Sequence, residues 1–289
     1  HFRLLEAQAT GITFDNQVKD RRDFNILTFR NYYNGGGVAI GDINNDGLPD
    51  LYFTVNLAGN KLYLNKGDLQ FEDITELAGV AGAKAWSTGV TMADVNGDGR
   101  LDLYVCNSGD VDGDNKENEL FINNQDGTFT ERAAAYGLNN QGYSTQAAFF
   151  DYDLDGDLDC YLLNNSFKDP SRIELFRSMR DTPDELGGDK LYRNDGPDGE
   201  GVRFTDVTQE AGIYSSVIGF GLGAVIGDIN HDFYPDIYIS NDFWERDYLY
   251  INRQDGTFSE ELIDRIDFCS ISSMGGDMGD LNNDGHPEI

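Results

Sequence analysis

A nine-residue acidic motif occurs five times in this chain and constrains its fold more than any other feature. The copies read DINNDGLPD, DVNGDGRLD, DYDLDGDLD, DINHDFYPD and DLNNDGHPE, and they begin at residues 42, 94, 151, 228 and 280. Positions 1, 3, 5 and 9 carry Asp, Asn or Glu in every copy, and position 6 is Gly in four of them. Successive copies are 52 to 77 residues apart, a period that favours an array of repeated structural units.

The sequence around each acidic motif repeats as well. Small and apolar residues precede it (GVAIGD, GAVIGD), and an aromatic-rich segment follows it (LYFTVN, IYISND). A third apolar segment (NKLYLN, DYLYIN) and a fourth (FEDIT, FTDVT) come next, separated by turn residues. Four short strands per repeat, with no good helix between repeats, are typical of β-propeller blades. We therefore predict an all-β propeller of four-stranded blades. The repeats of a solenoid, the alternative array, are usually shorter.

The two ends of the sequence predict an incomplete ring. Residues 2–12 (FRLLEAQATGI) resemble residues 204–213 (FTDVTQEAGI), as expected for an orphan outer strand, and the fifth repeat stops after its innermost strand. We expect a fragment, or the ordered part of a longer protein, in which residues 1–289 belong to one propeller. The predicted segments are an orphan outer strand and lead-in at 1–34, blades at 35–84, 85–141, 142–213 (with an insertion at 166–188) and 214–268, and the start of a fifth blade at 269–289.

The acidic motif has the pattern of a calcium loop. Carboxylate and amide oxygens at alternate positions of a tight turn can converge on one ion, and Gly at position 6 permits the sharp reversal. Oxygen donors without Cys or His ligands favour Ca²⁺ over zinc or copper. An EF-hand is excluded because it requires Glu at position 12, where four copies carry Phe53, Val105, Leu162 and Ile239. If the turns bound no metal, the carboxylates within each of the five loops would repel one another.

Twenty side chains and five backbone carbonyls are the predicted ligands of four or five Ca²⁺ ions. Sixteen of the side chains are carboxylates; the third loop has four of them and should bind most tightly, whereas the fourth has Phe233 in place of Gly and should be the weakest intact loop. The carbonyls are those of Leu48, Arg100, Asp157, Tyr234 and His286. The side chains are Asp42, Asn44, Asp46, Asp50, Asp94, Asn96, Asp98, Asp102, Asp151, Asp153, Asp155, Asp159, Asp228, Asn230, Asp232, Asp236, Asp280, Asn282, Asp284 and Glu288.

The overall charge excludes some classes of partner. The chain has 52 acidic and 21 basic residues, a net charge of −31, so nucleic acid and anionic membrane surfaces would repel it. No segment has the length of a membrane span, and no signal peptide is visible. Cys106, Cys160 and Cys269 form no CxxC pair, and we expect them to be buried as small hydrophobic residues.

The motifs GVAIGDINNDGLPDLYF and GFGLGAVIGDINHDFYPDIYI resemble FG-GAP/VCBS repeats, the calcium-loop blades of integrin α-subunits. Together with NKLYLN and FEDITELAGV, they are similar to secreted bacterial VCBS-repeat proteins related to cartilage acidic protein, the ASPIC/UnbV family. The resemblance implies a seven-bladed propeller, Ca²⁺ at the loop positions given above, and a location outside the cell or on its surface, with outer-membrane anchoring left open. The ASPIC/UnbV segment itself is absent from this sequence.

Two insertions indicate where a partner would bind. In a four-stranded blade the acidic turns share one end, and the loops between the second and third strands share the other. Residues 108–119 and 166–188 are both second-to-third loops, so we expect a protein or glycan ligand, or self-assembly, at the end opposite the acidic loops. Asp110, Asp112 and Asp114 leave a further cation site open, and RIELFRSMR in the longer insertion predicts a short amphipathic helix.

Catalytic signatures are scarce in this sequence. Of its three histidines, His231 and His286 occupy variable positions of acidic loops, and no GxSxG or HExxH motif occurs. The side chains of Trp86 and Trp244 are of a type that stacks on sugars, although we expect both to pack between blades. The sequence therefore predicts a non-catalytic, Ca²⁺-stabilised module for binding, adhesion or assembly; the alternative is a calcium-dependent polysaccharide lyase or another glycan-processing enzyme.

Overall fold

A computed structural model describes residues 3–169, 179–199 and 201–289. The chain divides into two compact units, His1–Gln141 and Gly142–Ile289. The first unit contains the helical turns α1 (Ala7–Thr10), α2 (Thr75–Ala78) and α3 (Ala133–Tyr136). Its strands are β1 (Val38–Gly41), β2 (Asp50–Phe53), β3 (Lys61–Asn65), β4 (Phe71–Asp73), β5 (Ser87–Ala93), β6 (Asp102–Asn107), β7 (Glu119–Asn123) and β8 (Phe129–Glu131).

The second unit repeats this plan. It contains β9 (Ser144–Phe150), β10 (Asp159–Asn164), β11 (Lys190–Asp198), β12 (Gly201–Asp206), β13 (Gly221–Gly227), β14 (Asp236–Asn241), β15 (Tyr248–Asn252), β16 (Phe258–Glu260) and the helical turn α4 (Leu262–Arg265). Each unit holds two four-stranded antiparallel sheets whose strands pair in chain order. This meander of sequential hairpins is the topology of a propeller blade, so the predicted all-β fold of four-stranded repeats is confirmed.

The core of the first unit lies between its two sheets. The alternating pattern of β2 and β6 turns one set of side chains toward the neighbouring sheet, and Tyr52 and Leu103 are fully buried there. Burying an aromatic or aliphatic side chain of this size contributes about 1.5–3 kcal/mol. The cluster comprises Ile43, Tyr52, Leu62, Ile74, Ala78, Val80, Leu103, Val105, Phe121 and Phe129.

The second unit has the equivalent core. Tyr161, Leu163, Ile237 and Ile239 meet between its sheets and are fully buried. Innermost strands in both units carry small residues because they lie against neighbouring backbone. A Cβ at Gly37, which precedes β1, would lie 2.9 Å from the carbonyl oxygen of Thr88 in β5.

The lead-in segment packs on the first unit without joining a sheet. The strand predicted in residues 2–12 has no sheet partner among the described residues, and Ala7–Thr10 form the helical turn α1. The ring of Phe14 lies 5.0 Å from that of Phe53. Phe24 and Tyr32 enclose Trp86, with ring centroids 5.0 and 5.2 Å from it.

Two predictions about single residues are wrong. Cys106 and Cys160 are buried as expected, but Cys269 is exposed. Trp86 is buried, whereas Trp244 is 59% exposed in the loop between β14 and β15. The predicted amphipathic helix, residues 172–180, lies outside the described residues except for its last two positions. None of the described helices combines the length and apolar character that crossing a bilayer demands.

Candidate metal sites in the acidic loops

All five acidic loops fold in the same way, each on the turn after the first strand of its repeat. The carboxylate at position 1 accepts the N–H groups of positions 5 and 6, which closes the turn. In the first loop Asp42 accepts from Asp46 at 3.0 Å and from Gly47 at 2.7 Å. The same pair of bonds is made by Asp94, Asp151, Asp228 and Asp280.

Two positions of every loop have left-handed backbone. Position 6 has φ between 72° and 100°, which is why Gly stands there in four loops. The exception, Phe233, adopts φ 72° at a cost of about 1–2 kcal/mol. Position 4 is also left-handed, at Asn45, Gly97, Leu154, His231 and Asn283.

The carboxylate at position 9 is buried in the first four loops. Asp102 is fully buried, and it accepts the N–H of Val95 at 3.1 Å and that of Asn123 in β7 at 2.8 Å. Burial raises the pKa of Asp102 to about 7, and the same cause raises that of Asp159 to about 7. Ionising these groups therefore costs free energy unless a cation lies nearby. Asp50 and Asp236 accept the equivalent two N–H groups in their own loops and third strands, and their pKa values are also raised. In the exposed fifth loop, Glu288 holds position 9.

Sequence reasoning assigned no role to the Asn that closes each third-strand motif, but the structure shows one. In the first unit the Asn123 amide nitrogen donates to the carbonyl of Ile43, in the acidic loop of the neighbouring sheet, at 2.8 Å. Asn252 makes the same bond to Tyr152 at 2.7 Å within the second unit. These amides tie consecutive loops together. The signal available was the Asn that closes all four third-strand motifs, at Asn65, Asn123, Asn194 and Asn252.

The third loop brings its carboxylates closest together. One carboxylate oxygen each from Asp151, Asp153 and Asp159 lies within 4.8 Å of the other two, the sole such convergence of three acidic, His or Cys residues in the described chain. Asp153 Oδ1 is buried and has no hydrogen-bond partner there. Burial, and then the charges of Asp155 and Asp151, raise the pKa of Asp153.

The other four loops carry Asn at position 3, and its side-chain amide forms hydrogen bonds within the turn. Asn44 accepts the N–H of Asp46 at 3.0 Å and donates to the Asp46 carboxylate at 3.0 Å. Asn96, Asn230 and Asn282 also accept from position 5. The position 5 carboxylate in turn accepts the N–H of position 7, whose carbonyl is the predicted backbone ligand, at Leu48, Arg100, Asp157, Tyr234 and His286.

No loop carboxylate is paired with a cationic side chain in the described residues. Their partners are N–H groups and side-chain amides, which leave each loop with a net charge of −3 or −4 from its four predicted ligand positions. Hard oxygen donors with uncompensated negative charge are the donor set that suits Ca²⁺.

Carboxylates at the opposite end of the blades are used differently. Asp112 binds the Arg21 guanidinium at 2.5 Å, Asp110 binds Lys116 at 2.9 Å, and Asp114 accepts the N–H of Ala85 at 2.7 Å. Asp110, Asp112 and Asp114, the candidate ligands of a further cation site, therefore do not converge on one point. In the second unit Glu245, 3% exposed, accepts from Arg180 at 2.5 Å.

A family model described as an FG-GAP-like repeat matches residues 42–105 and 228–289, which contain the first, second, fourth and fifth acidic loops. These two segments are similar to FG-GAP-like repeats. The chain is also similar in sequence to cartilage acidic protein 1. The frog protein (Xenopus tropicalis) is 31% identical over 61% of this chain, and the human protein is 27% identical over 52%. The matched parts span 27% and 22% of those relatives, about a quarter of their length.

The chain also has a distant match among solved structures. It comes from work on the recognition of non-reducing terminal N-acetylglucosamine by an Agrocybe aegerita lectin, and it covers 76% of this chain and 50% of that one. The identity is 20% and the TM-score 0.42. A match this distant supports no conclusion on fold or ligand.

Proposed function

We propose that this chain is part of an extracellular, Ca²⁺-dependent propeller module that binds a partner rather than catalysing a reaction. The observation that carries the proposal is the third loop, where three carboxylates converge, Asp153 Oδ1 has no hydrogen-bond partner, and no cationic side chain of the described residues forms an ion pair with them. A cation with oxygen ligands satisfies that oxygen and removes the repulsion. Each of the other loops would hold its ion through the same four positions and the position 7 carbonyl.

The proposed role of the metal is structural. Calcium modules outside cells commonly bind with dissociation constants of about 10⁻⁴–10⁻³ M. At about 10 mM Ca²⁺ each occupied site would then add about 1.4–2.7 kcal/mol to the free energy of unfolding. Loss of the ions would leave the buried position 9 carboxylates uncompensated.

Thermal unfolding monitored by circular dichroism tests this proposal. We expect the melting temperature to rise with Ca²⁺ concentration, to fall in EDTA, and to rise far less with Mg²⁺, which demands tighter octahedral geometry. An Asp151→Asn, Asp153→Asn, Asp155→Asn variant should lose part of the Ca²⁺ response, whereas Asp126→Asn, in an exposed turn outside the loops, should keep all of it. A melting temperature that EDTA leaves unchanged contradicts the proposal.

The partner would bind at the end opposite the acidic loops. In the first unit that end contains a cavity of about 700 Å³ whose lining includes Lys19 and the paired charges of Arg21 with Asp112 and Lys84 with Asp114, and in the second unit it exposes Trp244. A glycan array with Ca²⁺-loaded protein, beside a degradation assay on the same glycans, separates binding from turnover. Light scattering at rising concentration measures self-assembly. Binding lost in Trp244→Ala or Lys84→Ala, with the melting temperature kept, places the partner here; turnover of a glycan would contradict the non-catalytic proposal.

A further inference from the structure

Two of the three histidines in the sequence meet in the second unit. His231 lies at position 4 of the fourth acidic loop and His286 at position 7 of the fifth. Their ring centroids are 4.2 Å apart, with an angle of 61° between the ring planes. Both side chains are exposed, so the edge-to-face contact is open to solvent.

The contact follows from the geometry of the repeat. Position 4 of one loop reaches positions 6 and 7 of the next, because its left-handed backbone turns the side chain out of its own loop. In the first unit the side chain of Asn45, at position 4, donates to the carbonyl of Gly99, at position 6 of the second loop, at 3.1 Å. His231 (φ 64°) has the same place relative to His286.

Neither imidazole is among the side chains assigned to Ca²⁺. The predicted contribution of His286 to its loop is its backbone carbonyl, and His231 stands between Asn230 and Asp232 without being a ligand position. The imidazole is a donor suited to Zn²⁺, Cu²⁺ and Ni²⁺, whereas the loop oxygens suit Ca²⁺. The two sets of donors therefore select different ions.

The surroundings favour a cation at this pair. The chain has a net charge of −31, which raises the local concentration of divalent ions. Both rings are exposed, so water can complete a four-coordinate shell around an ion held by the two imidazoles.

We propose that His231 and His286 form a two-imidazole site for Zn²⁺ that bridges the fourth and fifth acidic loops. Zinc–nitrogen bonds of about 2.0–2.1 Å require the two ligating nitrogens to be about 3.3 Å apart in a tetrahedral site. Small changes of both χ1 and χ2 in the exposed side chains would turn one nitrogen of each ring toward a shared ion. The site does not require bound Ca²⁺, so this proposal is independent of the proposed calcium function.

Isothermal titration of the 289-residue chain with Zn²⁺ tests the site. Millimolar Ca²⁺ is kept present to compete for the oxygen ligands, and a His1→Gln background removes the third imidazole. We expect one Zn²⁺ per chain, with affinity reduced at least about tenfold, the lower end of what even outer-shell substitutions cost a metal site, in His231→Gln and in His286→Gln. Circular dichroism in Ca²⁺ checks that both variants remain folded. Zn²⁺ binding that survives both substitutions unchanged would overturn the proposal.

The first unit offers a gain-of-site control. Asn45 and Arg100 hold the corresponding positions 4 and 7 of the first and second loops. Asn45→His combined with Arg100→His should add a second Zn²⁺ equivalent, while either substitution alone should add none. A double variant that folds and binds no additional Zn²⁺ contradicts the inference that the loop positions create the site.

Discussion

The two ends of the blades handle negative charge in opposite ways. At the acidic-loop end, carboxylates such as Asp102 accept hydrogen bonds from backbone N–H groups or from side-chain amides, and Asp153 Oδ1 has no hydrogen-bond partner. At the other end, Asp112, Asp110 and Glu245 are paired with Arg21, Lys116 and Arg180. Carboxylates neutralised by the chain's own cations need no further charge, whereas under the proposed function those held by dipoles would depend on an external ion.

The position 9 carboxylate should show the largest effect, because it serves the fold as well as the metal. Asp102→Ala leaves the N–H groups of Val95 and Asn123 without their acceptor in the core, at about 1–3 kcal/mol each. Asp98→Ala, at the exposed position 5 of the same loop, is the matched control. Urea unfolding should show a large loss for Asp102→Ala in EDTA and in Ca²⁺ alike, and a loss for Asp98→Ala in Ca²⁺ alone. Equal losses in EDTA would remove the distinction between the two positions.

Breaking an ion pair at the opposite end should be costly but insensitive to calcium. Arg180→Gln leaves Glu245, whose side chain is 2% exposed, without its cation, at a cost of about 3 kcal/mol. Arg21→Gln, in an exposed pair, should cost much less, because solvent screens the two charges. Combining Arg180→Gln with Glu245→Gln should restore most of the stability. A loss for Arg180→Gln that appears in Ca²⁺ and vanishes in EDTA would mean that the two ends are coupled.

The opposite end also contains a matched Asn and Asp that should differ in pH dependence. Asn118 accepts the N–H of Asn107 at 2.8 Å in the first unit, and Asp189 accepts that of Asn164 at 3.0 Å in the second. Burial raises the pKa of Asp189 to about 7. Its stabilising contribution is therefore complete below the unfolded-state pKa, near 4, and is lost as pH rises through about 7.

The measurement is the free energy of unfolding between pH 4 and pH 8 for the native chain and Asp189→Asn, both with Ca²⁺ present. The native chain should lose stability relative to the variant as pH rises, by at most about 1.4 kcal/mol per pH unit. Asn118→Ala, which carries no titrating group, should shift stability without changing this slope. Parallel curves for the native chain and Asp189→Asn would show that Asp189 does not titrate in this range.

The sequence was sufficient for features that depend on local spacing. Alternate carboxylates and Gly at position 6 predicted tight turns, and in the structure these turns share the hydrogen bonds from positions 5 and 6 to position 1. The periodicity of the strands predicted four strands per repeat. Contacts between residues far apart in the chain were not accessible in this way. The bond from Asn123 to Ile43 and the pairing of Arg21 with Asp112 join segments whose proximity depends on how the sheets pack.

Burial of single side chains was predicted with mixed success for the same reason. Cys106 lies within β6, which is buried at every position, but Cys269 and Trp244 lie in loops, where no periodicity indicates which side faces solvent. The continuous apolar segments around Cys106 and Cys160 were a usable signal, whereas Cys269 stands between Phe268 and Ser270, outside any such segment.

The third loop provides the finest comparison, because a single atom distinguishes its position 3 from those of the other loops. Asp153→Asn converts DYDLDGDLD to the amide pattern of the other loops, so the new amide nitrogen can donate to the Asp155 carboxylate, as Asn44 does to Asp46, and the loss of one charge relieves the repulsion with Asp151 and Asp159. Without metal the variant should gain about 1 kcal/mol, one hydrogen bond's net contribution; with Ca²⁺ it should lose affinity, since one charged ligand is gone. Asn96→Asp in the second loop is the reciprocal control and should change both quantities in the opposite direction. Calorimetric melting with and without Ca²⁺ measures both. If the two substitutions shift the Ca²⁺ response in the same direction, carboxylate number does not set the order of affinities among the loops.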